Sequence, residues 1–294
     1  MSPNRWQAIW SRRGLAAWLL RPGAFLLGVL GALRRRLYAL GLLKVHRLPV
    51  PVIVVGNVVV GGAGKTPTVI ALIEHLKAGG WCPGVVSRGY GRTGREVLAV
   101  EDNTPAAAGG DEPALIRRRT QVPVYVAPRR VDAAQALLKA HPEVNLVLCD
   151  DGLQHLALGR DLSVAVFDER GTGNGWLLPA GLLREPWPPA RSNPFSPDLL
   201  LLQRRPDGPA ARLPPSAVPA FEALRTLGNI VLGPSGQRMP LGDLALTPLM
   251  AVAGSWTPEF AAAIFGSFQV VILPMKMSAA TAGVRVSLST PLTL

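Results

Sequence analysis

Acidic residues are missing from the first 73 positions of this 294-residue chain; the first is Glu74. Residues 1–50 carry nine of the basic residues (Arg5, Arg12, Arg13, Arg21, Arg34, Arg35, Arg36, Lys44 and Arg47) and account for most of the net charge of +12. Acid is missing again after Glu259, where the last 35 residues hold no Asp, Glu or His. Cysteine is scarce. Cys82 and Cys149 are the only two, which excludes a disulfide framework and predicts small core hydrophobes in a reducing compartment. The apolar run from Pro22 to Leu33 has twelve residues, short of the roughly 20 that a bilayer span needs. It ends in three arginines rather than a small-residue cleavage site, which argues against a cleaved signal peptide. No internal repeat is evident.

The hydrophobic content of 48% supports a large buried core, and 28 prolines with 31 glycines imply many turns. The basic N-terminal residues flank apolar sequence instead of interleaving with polar residues across a folded domain. That pattern argues against a nucleic-acid surface and for a membrane-surface element, with Trp6, Trp10 and Trp18 suited to the headgroup region. A core-packed helix pair and a single tilted span are the alternatives. No protein partner is inferred.

The strongest local signal is Val52-Ile-Val-Val-Val-Gly56-Asn57, followed by Gly61-Gly62-Ala63-Gly64-Lys65-Thr66-Pro67 and then a helical pattern at Val69, Leu72, Ile73 and Leu76. A strand, a glycine-rich loop and a helix are the context of a phosphate-binding loop. Glycines let backbone N–H groups converge on phosphate oxygens, the helix N-terminus and Lys65 add positive charge, and the Thr66 hydroxyl suits Mg²⁺. The first glycine of the usual spelling would fall at Val59. The competing reading is an ordinary glycine turn.

Beyond the loop, strands are expected at 84–87, 96–100, 122–127, 144–149 and 162–167, with helices from Asp111 and over 131–140. This alternation predicts an α/β fold, a mostly parallel sheet covered by helices on both faces. The proline-rich stretch 186–197 reads as a domain edge. Leu199–Leu202 and Ile230–Leu232 are expected to belong to a second, smaller α/β unit. The expected division is 1–48, a membrane-associated helical segment; 49–190, a P-loop kinase domain; and 191–294, the second α/β domain with an atypical tail. The apolar strand that ends in Asp150-Asp151 offers a carboxylate for Mg²⁺ beside Thr66; a plain turn at Asp150-Asp151-Gly152 is the alternative.

In this order, Gly56-Asn57…Gly64-Lys65-Thr66-Pro67, Ser87-Arg88-Gly89-Tyr90-Gly91, Gly110-Asp111-Glu112-Pro113, Asp150-Asp151-Gly152-Leu153-Gln154-His155 and Leu178-Pro179-Ala180-Gly181-Leu182-Leu183-Arg184-Glu185 resemble the tetraacyldisaccharide 4′-kinases of lipid A biosynthesis. The resemblance runs from about residue 15 to about 200, and the displaced first glycine is that family's own spelling. It implies a P-loop NTPase-like fold and transfer of the ATP γ-phosphate to the 4′-hydroxyl of a lipid disaccharide at the cytoplasmic face of the bacterial inner membrane. It also implies residue roles. Lys65 and Thr66 would bind phosphate and Mg²⁺, with Gly61, Gly62, Ala63, Gly64 and Pro67 completing the loop. Asp150 and Asp151 would serve the metal and the catalytic network. Asp111 would act as general base, Arg130 and Arg184 would neutralise phosphate charge, and Gln154 and His155 would line the site.

The resemblance also implies a later Pro-Asp-His segment, whose histidine partners the catalytic acid, and a Thr-x-Lys-Asp segment. Val252-Ala-Gly254 appears in its expected place, but neither later segment follows, and His46, His75, His141 and His155 are the only histidines. The tail is therefore expected to be truncated or frame-altered, with turnover below that of an intact relative. The rival functions are a soluble P-loop GTPase or ATPase switch, which would want an Asn-Lys-x-Asp motif not found here, and a nucleotide-binding but inactive relative.

Overall fold

A computed structural model describes residues 3–190, 193–206, 208, 213, 216–227, 230–232, 238–240 and 268–273. The chain opens with three helices, α1 (Pro3–Ser11), α2 (Leu15–Leu19) and α3 (Arg21–Ala39). Strand β1 (Val52–Gly56) leads through the glycine loop into α4 (Lys65–Ala78), followed by β2 (Pro83–Ser87) and the short β3 (Leu98–Ala99). Helices α5 (Ala106–Gly109) and α6 (Asp111–Thr120), strand β4 (Val124–Val126), α7 (Arg130–Ala140), β5 (Leu146–Asp150) and β6 (Leu162–Phe167) come next. After these come β7 (Leu199–Arg204), β8 (Ala220–Leu227), β9 (Ile230–Leu232), β10 (Arg238–Pro240) and β11 (Phe268–Leu273).

Nine strands form one sheet in the order β11-β8-β7-β6-β1-β5-β2-β4-β3. Only the two edge strands, β3 and β11, pair antiparallel. The central strands β1, β5 and β6 are nearly continuous apolar runs because both faces of the sheet are covered there. Alternation along each strand divides the core. Val54, Val147 and Cys149 face one side with Val131, Ala134 and Leu137 of α7. Val55, Leu146 and Leu148 face the other with Val69 and Ile73 of α4 and Ile116 of α6. Helices thus lie on both faces, as expected. Burial pushes the Cys149 thiol up to about 11, so it stays a neutral core group. Cys82 differs from expectation: it lies one residue before β2 and is exposed.

The expected strand at 199–202 belongs to this sheet and not to a separate one: Val164 to Phe167 of β6 pair in parallel with Leu199 to Leu202 of β7. The apolar run Leu199-Leu-Leu-Leu202 extends a sheet that is already buried, so the sheet continues past residue 190. Ile230–Leu232 lies outside it, paired with β10. Val252–Gly254 and most of the acid-free tail fall outside the described residues.

Among the described residues, no helix is long and apolar enough to cross a membrane. Helix α3 buries only Ala24, while Phe25, Leu26, Val29, Leu30 and Leu33 are exposed on it. The tryptophans divide between protein and surface. The Trp10 indole donates to the Pro179 carbonyl at 3.0 Å, so this residue, expected at a headgroup region, is bound into the fold. Trp18 meets Trp176 edge-on, and Arg21 stacks over both rings at 4.7 Å.

Candidate active site

The parallel pairing places Val55 of β1 beside Asp150 of β5. The glycine loop after β1 and the two acids at the end of β5 therefore emerge side by side at the carboxyl end of the sheet, where open α/β sheets bind ligands. Gly64, with φ of 78°, makes the left-handed turn into α4. Gly61 and Gly62 are exposed, whereas Ala63, Lys65 and Thr66 are buried. Pro67 sits in the first helical turn, where its missing N–H costs nothing. Val59 is fully buried and bridges to Leu183; it stands where a glycine is usual because this position packs into the core.

The Lys65 ammonium lies 3.6 Å from Asp151 Oδ1. Arg184 Nη1 donates to both Asp151 oxygens, at 3.1 and 3.3 Å. Burial raises the Asp151 carboxyl, but Lys65, Arg184 and Arg130 outweigh it and hold the group below the usual carboxylate range. Asp151 itself adopts φ of 48°, and the Arg130 guanidinium holds its carbonyl at 2.9 Å. Arg130, expected to face phosphate, here also braces the backbone of the acidic turn. Gln154 Nε2 donates to Glu185 Oε1 at 2.8 Å and to the Asn57 carbonyl at 3.1 Å, which ties the loop to the Leu178–Glu185 segment. His155 is partly buried beside Arg130. Burial and the neighbouring Arg130, Arg34, Arg160 and Arg129 hold it down to about 4, so it is neutral.

Asp150 is completely buried. Its Oδ2 faces the Ser87 hydroxyl at 3.5 Å, and its Oδ1 has no partner. Burial, then Glu112, push its carboxyl up, with Lys65 opposing. A desolvated carboxylate with an orphaned oxygen is what a cation, or a water on it, would satisfy. Asp150, Asp151 and the Thr66 hydroxyl are an oxygen-donor set suited to Mg²⁺, which is typically held by one or two carboxylates plus substrate phosphates. Among the described residues there is no group of three or more His, Cys, Asp or Glu to form a cage around a metal. The donor set therefore fits Mg²⁺ bound together with a nucleotide.

Asp111 is exposed in the first turn of α6. Its neighbour Glu112, which sequence reasoning did not single out, reaches the cluster: burial raises its carboxyl while Lys65 lowers it and Asp151 raises it further. The only sequence signal was its place beside Asp111. None of the four histidines bonds to Asp111 among the described residues; His141 faces Glu143 instead. The two glycine motifs pack backbone to backbone: a Cβ on Gly110 would lie 3.0 Å from Gly89 Cα. This contact sets the Ser87–Gly91 loop against the start of α6. Between α3 and the segment 185–197 lies a cavity of about 300 Å³, lined by Arg35, Arg36, Val58, Glu185, Trp187 and Phe195 among others.

Comparison with known proteins bears on this geometry. A family model described as tetraacyldisaccharide-1-P 4′-kinase matches residues 16–259. A tetraacyldisaccharide 4′-kinase of Acidovorax sp. (strain JS42) is 52% identical over 256 residues, spanning 87% of this chain and 72% of that protein. Another, of Polaromonas naphthalenivorans, is 51% identical over 253 residues, spanning 85% and 70%. Among solved structures, the "apo" form of LpxK from Aquifex aeolicus in complex with ATP superposes with a TM-score of 0.65 at 30% identity, covering 78% of this chain and 71% of that one.

Proposed function

The chain belongs to the tetraacyldisaccharide-1-phosphate 4′-kinase family, and from that premise we propose how its own residues carry the reaction and where it takes place. The activity is ATP-dependent phosphorylation of a lipid disaccharide in lipid A biosynthesis. The observation that carries our reading of the site is the convergence of Lys65 and Arg184 on Asp151, beside the buried, half-unpartnered Asp150, at the mouth of the glycine loop.

The acceptor 4′-oxygen attacks the γ-phosphorus, and the bond from that phosphorus to the oxygen bridging to the β-phosphate breaks. ADP leaves with that electron pair. Loop N–H groups and Lys65 hold the phosphates in line, and Arg184 offsets the charge that spreads over the transferring group. Asp150, Asp151 and Thr66 would hold Mg²⁺, which would supply charge neutralisation to the phosphates. Asp111, exposed beside the cluster, takes the proton of the acceptor hydroxyl. Arg130 keeps the backbone of Asp151 in its left-handed turn, and Gln154 links Arg184 to Glu185.

The exposed apolar residues of α3, bordered by Arg34, Arg35 and Arg36, would seat the enzyme on the cytoplasmic surface of the inner membrane, where the acceptor's acyl chains are embedded. The cavity beside α3 adjoins the site through Glu185 and offers room for part of the acceptor. The test is incubation with γ-labelled ATP, Mg²⁺ and the tetraacyldisaccharide 1-phosphate in vesicles. Label should appear in the lipid. Label released only as inorganic phosphate, with or without lipid, would instead indicate a nucleotide-hydrolysing switch.

A further inference from the structure

A phosphate loop works only if its N–H groups point at the ligand. A trans peptide unit aims its carbonyl and the following N–H in opposite directions, so anchoring a carbonyl fixes the next N–H. In this chain, side chains anchor the loop carbonyls, and two of them, Arg170 and Gln203, come from outside the predicted motif. Arg170 Nη1 donates to the Val60 carbonyl at 3.2 Å and Nη2 to the Gly62 carbonyl at 3.1 Å. Gln203 Nε2 donates to the Gly64 carbonyl at 2.9 Å and to Thr68 Oγ1 at 2.6 Å. Asn57 Nδ2 donates to the Gly61 carbonyl at 3.0 Å. The N–H groups of Gly61, Gly62, Ala63 and Lys65 are thereby set in direction.

The anchors are held in turn. Asp168 grips Arg170 in a two-pronged pair, with Arg170 Nε 2.8 Å from Asp168 Oδ2 and Nη2 2.7 Å from the same oxygen. Asp168 follows the end of β6, and Gln203, only 2% exposed, sits within β7. Both packing gaps are closed by these side chains: a Cβ on Gly61 would lie 2.9 Å from Arg170 Nη1, and one on Gly64 would lie 1.7 Å from Gln203 Oε1.

We propose that Arg170, oriented by Asp168, and Gln203 are positioning residues for the nucleotide: they shape the loop from behind by fixing the carbonyls at 60, 62 and 64. The proposal rests on the reading of residues 56–67 as the phosphate loop. Positioning of this kind has a signature. Losing an anchor weakens Mg²⁺-ATP binding without altering the acceptor, and a lysine at 170 does not restore it. Lysine keeps the charge but lacks the planar fork that spans two carbonyls and a carboxylate.

The test is calorimetric Mg²⁺-ATP affinity of the full chain, with KM for ATP and for the lipid acceptor, in Arg170→Ala, Arg170→Lys, Asp168→Asn, Gln203→Leu and the double variant Asp168→Asn/Arg170→Ala. Arg170→Ala and Gln203→Leu are expected to weaken ATP about tenfold or more, with the acceptor KM unchanged. Arg170→Lys should recover less than half of that loss on a logarithmic scale. The double variant should bind no worse than Arg170→Ala alone, because Asp168 acts through Arg170. Should Arg170→Ala fail to fold, Arg170→Lys and the near-isosteric Gln203→Leu decide the matter. ATP affinity within about twofold of the parent in both, or full restoration by Arg170→Lys, overturns the proposal. Lys65→Ala in the same experiment separates the two readings. If it binds and turns over ATP like the parent, the loop assignment fails; if it is impaired while the anchor variants are normal, only the positioning roles fail.

Discussion

Replacing Gly64 by Ala should be among the most damaging single-methyl additions in the chain. Gly64 has φ of 78°, and its added Cβ would fall 1.7 Å from Gln203 Oε1 and 2.5 Å from its Cδ. The left-handed conformation costs an alanine about 1–2 kcal/mol. The clash forces Gln203 out of a site where it is 2% exposed and makes two hydrogen bonds. Losing those bonds, net of solvation, costs about 1 kcal/mol each. The total is about 3–4 kcal/mol, a large share of a domain stability of about 5–15 kcal/mol. Gly62 is the control, since its Cβ would meet nothing within 4 Å, and Gly62→Ala should change stability by less than about 0.5 kcal/mol without nucleotide. Urea unfolding of both variants, and of Gly64→Ala combined with Gln203→Ala, reads the difference. The double variant should cost less than the sum of its parts, because the clash has been removed. A Gly64→Ala chain within about 1 kcal/mol of the parent, or a Gly62→Ala chain equally damaged, would refute the reasoning.

Three further outcomes are expected. His155 is held down to about 4 when folded against 6.5 ordinarily, so the unfolded chain binds its proton first and stability falls as pH drops from 6.5 to 4. His155→Gln should remove about 1 kcal/mol of that fall after allowance for solvent screening, seen as a flatter profile of thermal midpoint against pH. Changing the exposed Leu26 and Leu30 to Asp should leave stability nearly intact and abolish co-flotation with anionic vesicles; unchanged flotation would make α3 a purely protein-packing element. Transfer should run about 10²–10⁴-fold below that of a relative whose catalytic acid has a histidine partner, because no histidine bonds to Asp111 among the described residues; full-rate turnover would show that another group fills that role.

Much of the fold could be read from the sequence because its signals were local. The β-branched run 52–55 and the apolar run 162–167 could hardly be other than buried strands, and Gly64-Lys65-Thr66 marks the helix start. Asp150 and Asp151 were legible as a strand-end pair. The placement of 199–202 was not, since an apolar run says that a strand is buried but not which sheet it joins. Glu112 was obscured because an acid in the first turn of a helix already has a sufficient local reason. Asp168, Arg170 and Gln203 lay out of sight for a different reason. Asp168 acts only through Arg170. Arg170 and Gln203 serve backbone carbonyls more than 100 residues away in sequence, and a carbonyl leaves no trace in residue identity. The same holds for Trp10, whose indole serves a carbonyl at Pro179.

The most direct test of the account is the site of phosphorylation itself: phosphorus NMR of the lipid recovered after reaction of the tetraacyldisaccharide 1-phosphate with Mg²⁺-ATP, for the parent chain and for Lys65→Ala. The account predicts a second phosphomonoester, on the 4′-oxygen, from the parent, and a loss of more than tenfold (about 1.4 kcal/mol of transition-state stabilisation or more) in Lys65→Ala. A lipid that remains monophosphorylated, or a Lys65→Ala chain that forms the product at the parent's rate, would contradict it.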